Sequence, residues 1–119
     1  MTGKLTTHIL DTAQGQPAAN VTVELFQISL SQNAKLIKTL TTNADGRTDQ
    51  PLLTSKEMEK GTYELRFAMG GYFAKQLDKL PDPLFLNIIP IRFSIADTSK
   101  HYHIPLLCSP WSYSTYRGS

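Results

Sequence analysis

Cysteine is nearly absent from this 119-residue chain: Cys108 stands alone, so no internal disulfide can form, and no Cys/His cluster has the spacing of a zinc site. Long apolar runs are missing too, and with them any transmembrane helix. Neither charge sign accumulates. Twelve basic and ten acidic side chains leave a net charge of +2, spread without blocks, which provides no footprint for nucleic acid or an anionic membrane. The first residues, Met1 to Thr6, lack the apolar centre of a signal peptide. A reducing compartment follows as the default expectation, most simply a cytoplasmic one. Cys108 follows Pro105-Leu106-Leu107 and reads as a small packed residue rather than a nucleophile. The length suits one domain, 1–119, and is too short for two.

What is present is alternation at period two. Leu5 to Leu10 alternates weakly and stops at Asp11, with Gly15 and Pro17 breaking the chain beyond. Asn20 to Ser29 puts Val21, Val23, Leu25 and Gln27 on one face. The polar turn Ser31-Gln32-Asn33 predicts that Lys35 to Thr42 pairs back as a hairpin. Asp45-Gly46 is the strongest turn dipeptide, and Arg47 follows it directly. Thr62 to Met69 carries Tyr63, Leu65 and Phe67 on a shared face before Gly70-Gly71 interrupts it. Tyr72 to Leu77 lacks β-branched bias and reads as a short helix. Ile88 to Ala96 is a strand in which Pro90 marks either a sheet edge or the strand's first residues. Lys100 to Cys108 and Trp111 to Arg117 complete seven or eight strands. The fold class is all-β, a sandwich with one brief helix.

Alternation also sorts the polar side chains. Leu5, Thr7 and Ile9 point inward, leaving Thr6, His8 and Leu10 outside. Tyr102, Ile104 and Leu106 face the core, so His101 and His103 share the other face. If the first, penultimate and last strands are neighbours, His8, His103 and Tyr116 share one outer face of a kind that meets another subunit. The three histidines have no Asp, Glu or Cys nearby at ligand spacing, which argues against a metal site. The chain ends on Tyr116-Arg117-Gly118-Ser119, which brings a phenol, a guanidinium, a hydroxyl and a carboxylate directly after a strand pattern. Those groups suit recognition of a small polar molecule.

Four segments together carry a family resemblance: Leu5-Thr6-Thr7-His8-Ile9-Leu10-Asp11, Ala44-Asp45-Gly46-Arg47, His101-Tyr102-His103-Ile104-Pro105-Leu106-Leu107, and Ser109-Pro110-Trp111 through Ser119. In that order they resemble the 5-hydroxyisourate hydrolases, transthyretin-related enzymes of urate breakdown, over essentially the whole chain. Transthyretin itself is similar in the first strand and in the Ser-Tyr-Ser-Thr stretch, but lacks the histidines, the arginine and the terminal tetrapeptide. The resemblance implies a transthyretin-like (prealbumin-like) sandwich of two four-stranded sheets. It implies a homotetramer, a dimer of dimers, with sites at the dimer–dimer interface.

It further implies hydrolysis of 5-hydroxyisourate to 2-oxo-4-hydroxy-4-carboxy-5-ureidoimidazoline, with no metal or organic cofactor. By motif match His8, Arg47, His103 and Ser119 are catalytic. His8, Arg47, Tyr116, Arg117 and Gly118 bind substrate, and His101 supports. Imidazoles titrate near neutrality and can deprotonate a water and reprotonate a leaving nitrogen. The Arg47 fork matches ring carbonyls and a developing oxyanion. Tyr116 closes over the ring, Gly118 lets the tail bend near the ligand, and Ser119 orients an imidazole or the water. The alternatives are a transthyretin-like carrier without catalysis and an immunoglobulin-like interaction domain. The second lacks the Cys…Trp…Cys spacing.

Overall fold

A computed structural model describes residues 3–118. The elements run β1 (Lys4–Asp11), β2 (Gln16–Pro17), β3 (Thr22–Ile28), β4 (Ala34–Thr41), β5 (Gly61–Ala68), α1 (Met69–Gln76), β6 (Ile88–Ile95), β7 (His101–Cys108) and β8 (Tyr113–Thr115). They form two four-stranded sheets, ordered β2-β1-β7-β8 and β4-β3-β5-β6. The expected alternation is what joins them. Leu5, Ile9, Tyr102, Ile104 and Leu106 of the first sheet meet Val23, Leu25, Tyr63, Leu65 and Phe67 of the second in one buried core. Cys108 belongs to that core, and burial pushes its thiol up to about 11, so it packs and does not ionise near neutrality. Pro90 sits on β6, an edge strand as its missing N–H requires.

Three local expectations are corrected. The helix begins earlier than Tyr72: β5 ends at Ala68, and α1 starts at Met69 and runs through Gly70 and Gly71. Met69 is fully buried and the Gly70 N–H donates to the Asn87 carbonyl at 2.9 Å, so tertiary anchoring outweighs glycine's low helix propensity. Ile28, not Gln27, takes the last inward position of β3. The final strand is shorter than Trp111 to Arg117. The Ser109 N–H donates to the Ser112 carbonyl, closing a turn that delays β8 to Tyr113. Pairing with β7 lapses after Thr115 and returns at Gly118, opposite His103.

β1 and β7 run parallel, although they come from opposite ends of the chain. The register sets Lys4 against His101, Thr6 against His103 and His8 against Pro105. From inside, the buried Thr7 hydroxyl donates to the Ile104 carbonyl at 2.7 Å and so helps hold that register. The far end of β1 is fixed by Asp11, which is almost wholly buried. Its carboxylate accepts from the backbone N–H groups of Ala13 and Gln14, from the Gln14 side chain, and from the Tyr72 hydroxyl of α1 at 2.8 Å. On the other sheet, Glu64 joins Arg66 and Arg92 across β5 and β6. No helix of the described residues is long and apolar enough to cross a membrane.

Asp11 predicts the largest loss of stability outside the apolar core. Asp11→Ala strands several donors and unties β1 from α1, so urea unfolding should show a loss of about 2–4 kcal/mol. A midpoint unchanged from the parent chain would show that this carboxylate is dispensable.

Candidate active site

The site is assembled by sheet pairing, row by row. The exposed edge of β1 not covered by β2 is lined by the segment after the Asp45-Gly46 turn. The Ile9 N–H donates to the Gly46 carbonyl at 2.8 Å, Leu5 and Leu53 pair, and His8 and Arg47 form an antiparallel bridge. Gly46 has φ +74°, and a Cβ there would collide with the Ile9 carbonyl. A glycine is therefore required for the turn to lie this close to β1. Asn43 supports the turn from beneath, its side-chain oxygen accepting from the Asp45 N–H at 2.9 Å. Residues facing one another across a ladder share a sheet face, so three rows arise on the outer side. Arg47, His8 and Pro105 form one. Thr6, His103 and Gly118 form the next, and Lys4 and His101 the third.

Between these rows and the 47–51 segment lies an open cavity of about 460 Å³, whose walls include Thr6, Arg47, Asp49, His101 and His103. His8 borders the same face one row along β1. The Thr6 hydroxyl lies 2.8 Å from His101 Nε2 and 2.8 Å from His103 Nδ1, bridging the two rings. His103 is held from the other side by the tail: the Gly118 N–H donates to the His103 carbonyl at 2.7 Å. A Cβ at Gly118 would stand 2.7 Å from His103 Cδ2, too close for any side chain without moving the ring. Gly118 thus works by close approach to His103, a reason the sequence did not reveal.

Burial and neighbouring charge keep the imidazoles neutral. The His103 pKa is lowered chiefly by burial, then by Arg47, His101 and His8. His8 is lowered by burial and by Arg47, while the Asp45 backbone and carboxylate pull the other way. His101, the more exposed ring, is lowered by burial and by Lys4. Neutral imidazoles beside a fixed guanidinium are the groups that accept a proton from water while a cation waits for an anion.

The structure therefore brings His8, Arg47, His101, His103 and Gly118 together. Tyr116 and Arg117 follow β8 between Thr115 and Gly118, and the Arg117 guanidinium donates to the His101 carbonyl at 3.4 Å. They line a second cavity of about 230 Å³ with Ile91, Phe93, Tyr102 and Ile104. The Arg117 guanidinium stacks 4.1 Å over the Tyr102 ring. Ser119 lies outside the described residues. Thr6, Lys4 and Asp49 were not singled out from the sequence; the parallel register draws in Thr6 and Lys4, and the segment after the Gly46 turn draws in Asp49, and no local pattern encodes either. Among the described residues no group of three or more His, Cys, Asp or Glu side chains is gathered for a metal ion.

Two four-stranded sheets with a histidine–arginine face define a transthyretin-like scaffold equipped for proton transfer. A sequence model described as the HIUase/Transthyretin family matches residues 5–118, and the chain belongs to that family. A 5-hydroxyisourate hydrolase of Ralstonia nicotianae is 51% identical, the match covering 98% of this chain and 99% of that relative. The structure of the Klebsiella pneumoniae 5-hydroxyisourate hydrolase superposes with a TM-score of 0.79 at 33% identity, covering 98% of this chain and 99% of that one. Sea bream transthyretin, in complex with thyroxine, superposes with a TM-score of 0.85 at 28% identity, covering 97% of this chain and 94% of that one.

The electrostatics predict an ordering that nuclear magnetic resonance titration can read. His8 and His103 should titrate below the ordinary imidazole value of about 6.5. Arg47→Gln removes a positive neighbour of both, which favours their charged forms, so both midpoints should rise. Midpoints that stay put would mean that Arg47 does not act on these rings.

Proposed function

We propose that the protein hydrolyses 5-hydroxyisourate to 2-oxo-4-hydroxy-4-carboxy-5-ureidoimidazoline on the outer face of the β2-β1-β7-β8 sheet. The observation that carries this is the meeting of His8, Arg47 and His103 in adjacent rows beside one cavity. Full-length relatives named as that hydrolase support it. One imidazole takes a proton from water as the oxygen attacks the ring carbonyl. The Arg47 guanidinium stabilises the oxyanion that forms. As the carbon–nitrogen bond breaks, the proton goes to the leaving ring nitrogen, leaving a carboxylate. Burial keeps both imidazoles in the basic form this sequence of steps needs.

The tail enters at two places. Gly118 fixes His103, and Tyr116, Arg117 and Ser119 are assigned to substrate binding or orientation from the terminal motif. For Tyr116 and Arg117 this role belongs to the assembled protein, because in one chain they line the neighbouring cavity. The assembly proposed is a homotetramer, a dimer of dimers, whose dimer–dimer interface covers the outer face. Support comes from that face's open cavity and from the exposed Trp111, Tyr113 and Tyr116 in and around β8. A single 1–119 domain and a cytoplasmic location complete the reading, the latter supported by a lone buried thiol in place of disulfides.

A carrier without catalysis is the reading to exclude, because the same fold in sea bream transthyretin is in complex with thyroxine. Ultraviolet decay of freshly made 5-hydroxyisourate decides between them. His103→Ala and Arg47→Ala should each lose roughly 10²–10⁴-fold in kcat, as removal of a proton-transfer or oxyanion group does, with melting preserved. Near-normal decay in either variant, or thyroxine binding without hydrolysis by the parent chain, would count against the enzyme. Gly118→Ala should lower kcat by about 10²-fold, the scale set by a 1 Å misplacement of a reacting group. Sedimentation of the parent chain as a monomer would remove the tetramer.

A further inference from the structure

The Thr6 hydroxyl lies within 2.8 Å of a nitrogen on each of two histidines, and that has a consequence in proton counting. A hydroxyl owns one proton. It can donate to at most one of the rings, and if it accepts from both and donates elsewhere, His103 is protonated at Nδ1. When it bridges them as donor to one and acceptor from the other, the tautomers of His101 and His103 are linked, and two arrangements exist with both rings neutral. In one, His103 Nδ1–H donates to Thr6, whose hydroxyl donates to His101 Nε2. In the other, His101 Nε2–H donates to Thr6, whose hydroxyl donates to His103 Nδ1.

The two differ in what His103 offers the cavity. Thr6 occupies Nδ1, so Nε2 is the nitrogen left for substrate and water. The first arrangement leaves a lone pair there, a base. The second leaves an N–H, which cannot take a proton. The positive charge of Arg47, felt at His103, favours a lone pair on the free nitrogen over a bond dipole pointing its hydrogen outward. The exposed His101 ring can meanwhile satisfy its Nδ1–H with solvent. When His103 takes up a proton at Nε2, its Nδ1–H bond to Thr6 is already in place, so nothing must rotate during the transfer.

We propose that Thr6 and His101 are positioning residues that hold His103 in its Nδ1-protonated tautomer, making His103 Nε2 the general base of the hydrolysis. This rests on the functional reading above and assigns to one ring the role left open between two. It also gives His101, which shares a wall of the cavity with His103, a part in the reaction without direct proton transfer.

The test uses the full chain and has two independent arms. In the first, nitrogen-15 shifts of the imidazoles at a pH above their titration report which nitrogen carries the proton. His103 in the parent protein should be protonated at Nδ1 and bare at Nε2. Thr6→Val, matched in shape but without the hydroxyl, should lose that preference. In the second arm, Thr6→Val should lower kcat about ten- to a hundredfold with KM nearly unchanged, part of the 10²–10⁴ that general base catalysis supplies. Thr6→Ser should return most of the loss, which excludes misfolding as its cause.

His101→Ala should also lower kcat, and the Thr6→Val/His101→Ala pair should be no slower than Thr6→Val alone, because both break one chain. An Nε2–H tautomer of His103 in the active parent protein overturns the proposal, as does a Thr6→Val enzyme of unchanged kcat. Multiplicative losses in the double variant overturn it too. Should the parent chain fail to hydrolyse 5-hydroxyisourate, the functional reading falls, and the nitrogen shifts still decide the tautomer.

Discussion

The parallel pairing of β1 with β7 is the constraint on which everything functional depends. Two strands separated by most of the chain lie side by side in a register that sets Thr6 against His103 and His8 against Pro105. Parallel neighbours cannot be joined by a tight turn, so the intervening sequence must be spent elsewhere. Here it forms the whole second sheet, the helix and the Arg47 turn. The inner faces of the two strands supply Leu5, Ile9, Tyr102, Ile104 and Leu106 to the core, and a one-residue slip would exchange that apolar set for the histidines. The hydrophobic effect thus fixes the register, and the register delivers the polar groups. Stability and chemistry are opposite faces of one strand pair.

The electrostatic character of the site follows from where those groups land. Three imidazoles, a guanidinium and Lys4 share a partly dehydrated face on which every added positive charge raises the cost of the next. The chain answers by leaving the titratable members neutral and making Arg47 the fixed cation. That division is useful for amide hydrolysis, which needs a free lone pair at the start and a positive field once negative charge appears on oxygen. A face of protonated histidines would supply the field but no base. Placing Arg47 on the turn opposite His8, rather than on a flexible loop, means its backbone position is set before substrate arrives.

Much of this was legible in the residues. Period-two alternation assigned the inward and outward sets of β1 and β7, and the Asp45-Gly46 dipeptide located the turn that presents Arg47. What sequence could not supply was long-range pairing. Thr6 looked like one outward residue of β1 until β7 came alongside, and Gly118 looked like a point where the tail bends toward a ligand. Its role is steric, a gap shaped for the His103 ring. The start of α1 lies earlier than the sequence suggests for the complementary reason: a buried Met69 and a bond to Asn87 decide the local conformation there, and both are tertiary. Tyr116 and Arg117 show the same limit. The ladder lapses after Thr115 and resumes in the same register at Gly118, and nothing in the sequence signals that both residues also border a neighbouring cavity with Ile91 and Phe93.

The same scaffold serving catalysis here and thyroxine in sea bream transthyretin shows how little of the activity belongs to the fold. A sandwich with a broad outer sheet face offers an organic ligand a surface that subunit packing can close. Binding needs only shape and a few polar partners. Turning that surface to hydrolysis requires a lone pair aimed at a defined point, which is a demand on hydrogen positions and not only on heavy atoms. An imidazole alone leaves its tautomer open. Here a threonine in the same row and a second histidine one row along remove the ambiguity with a single hydroxyl. The step from holding a ring to opening it lies in that chain of protons, carried by side chains the core already had to place.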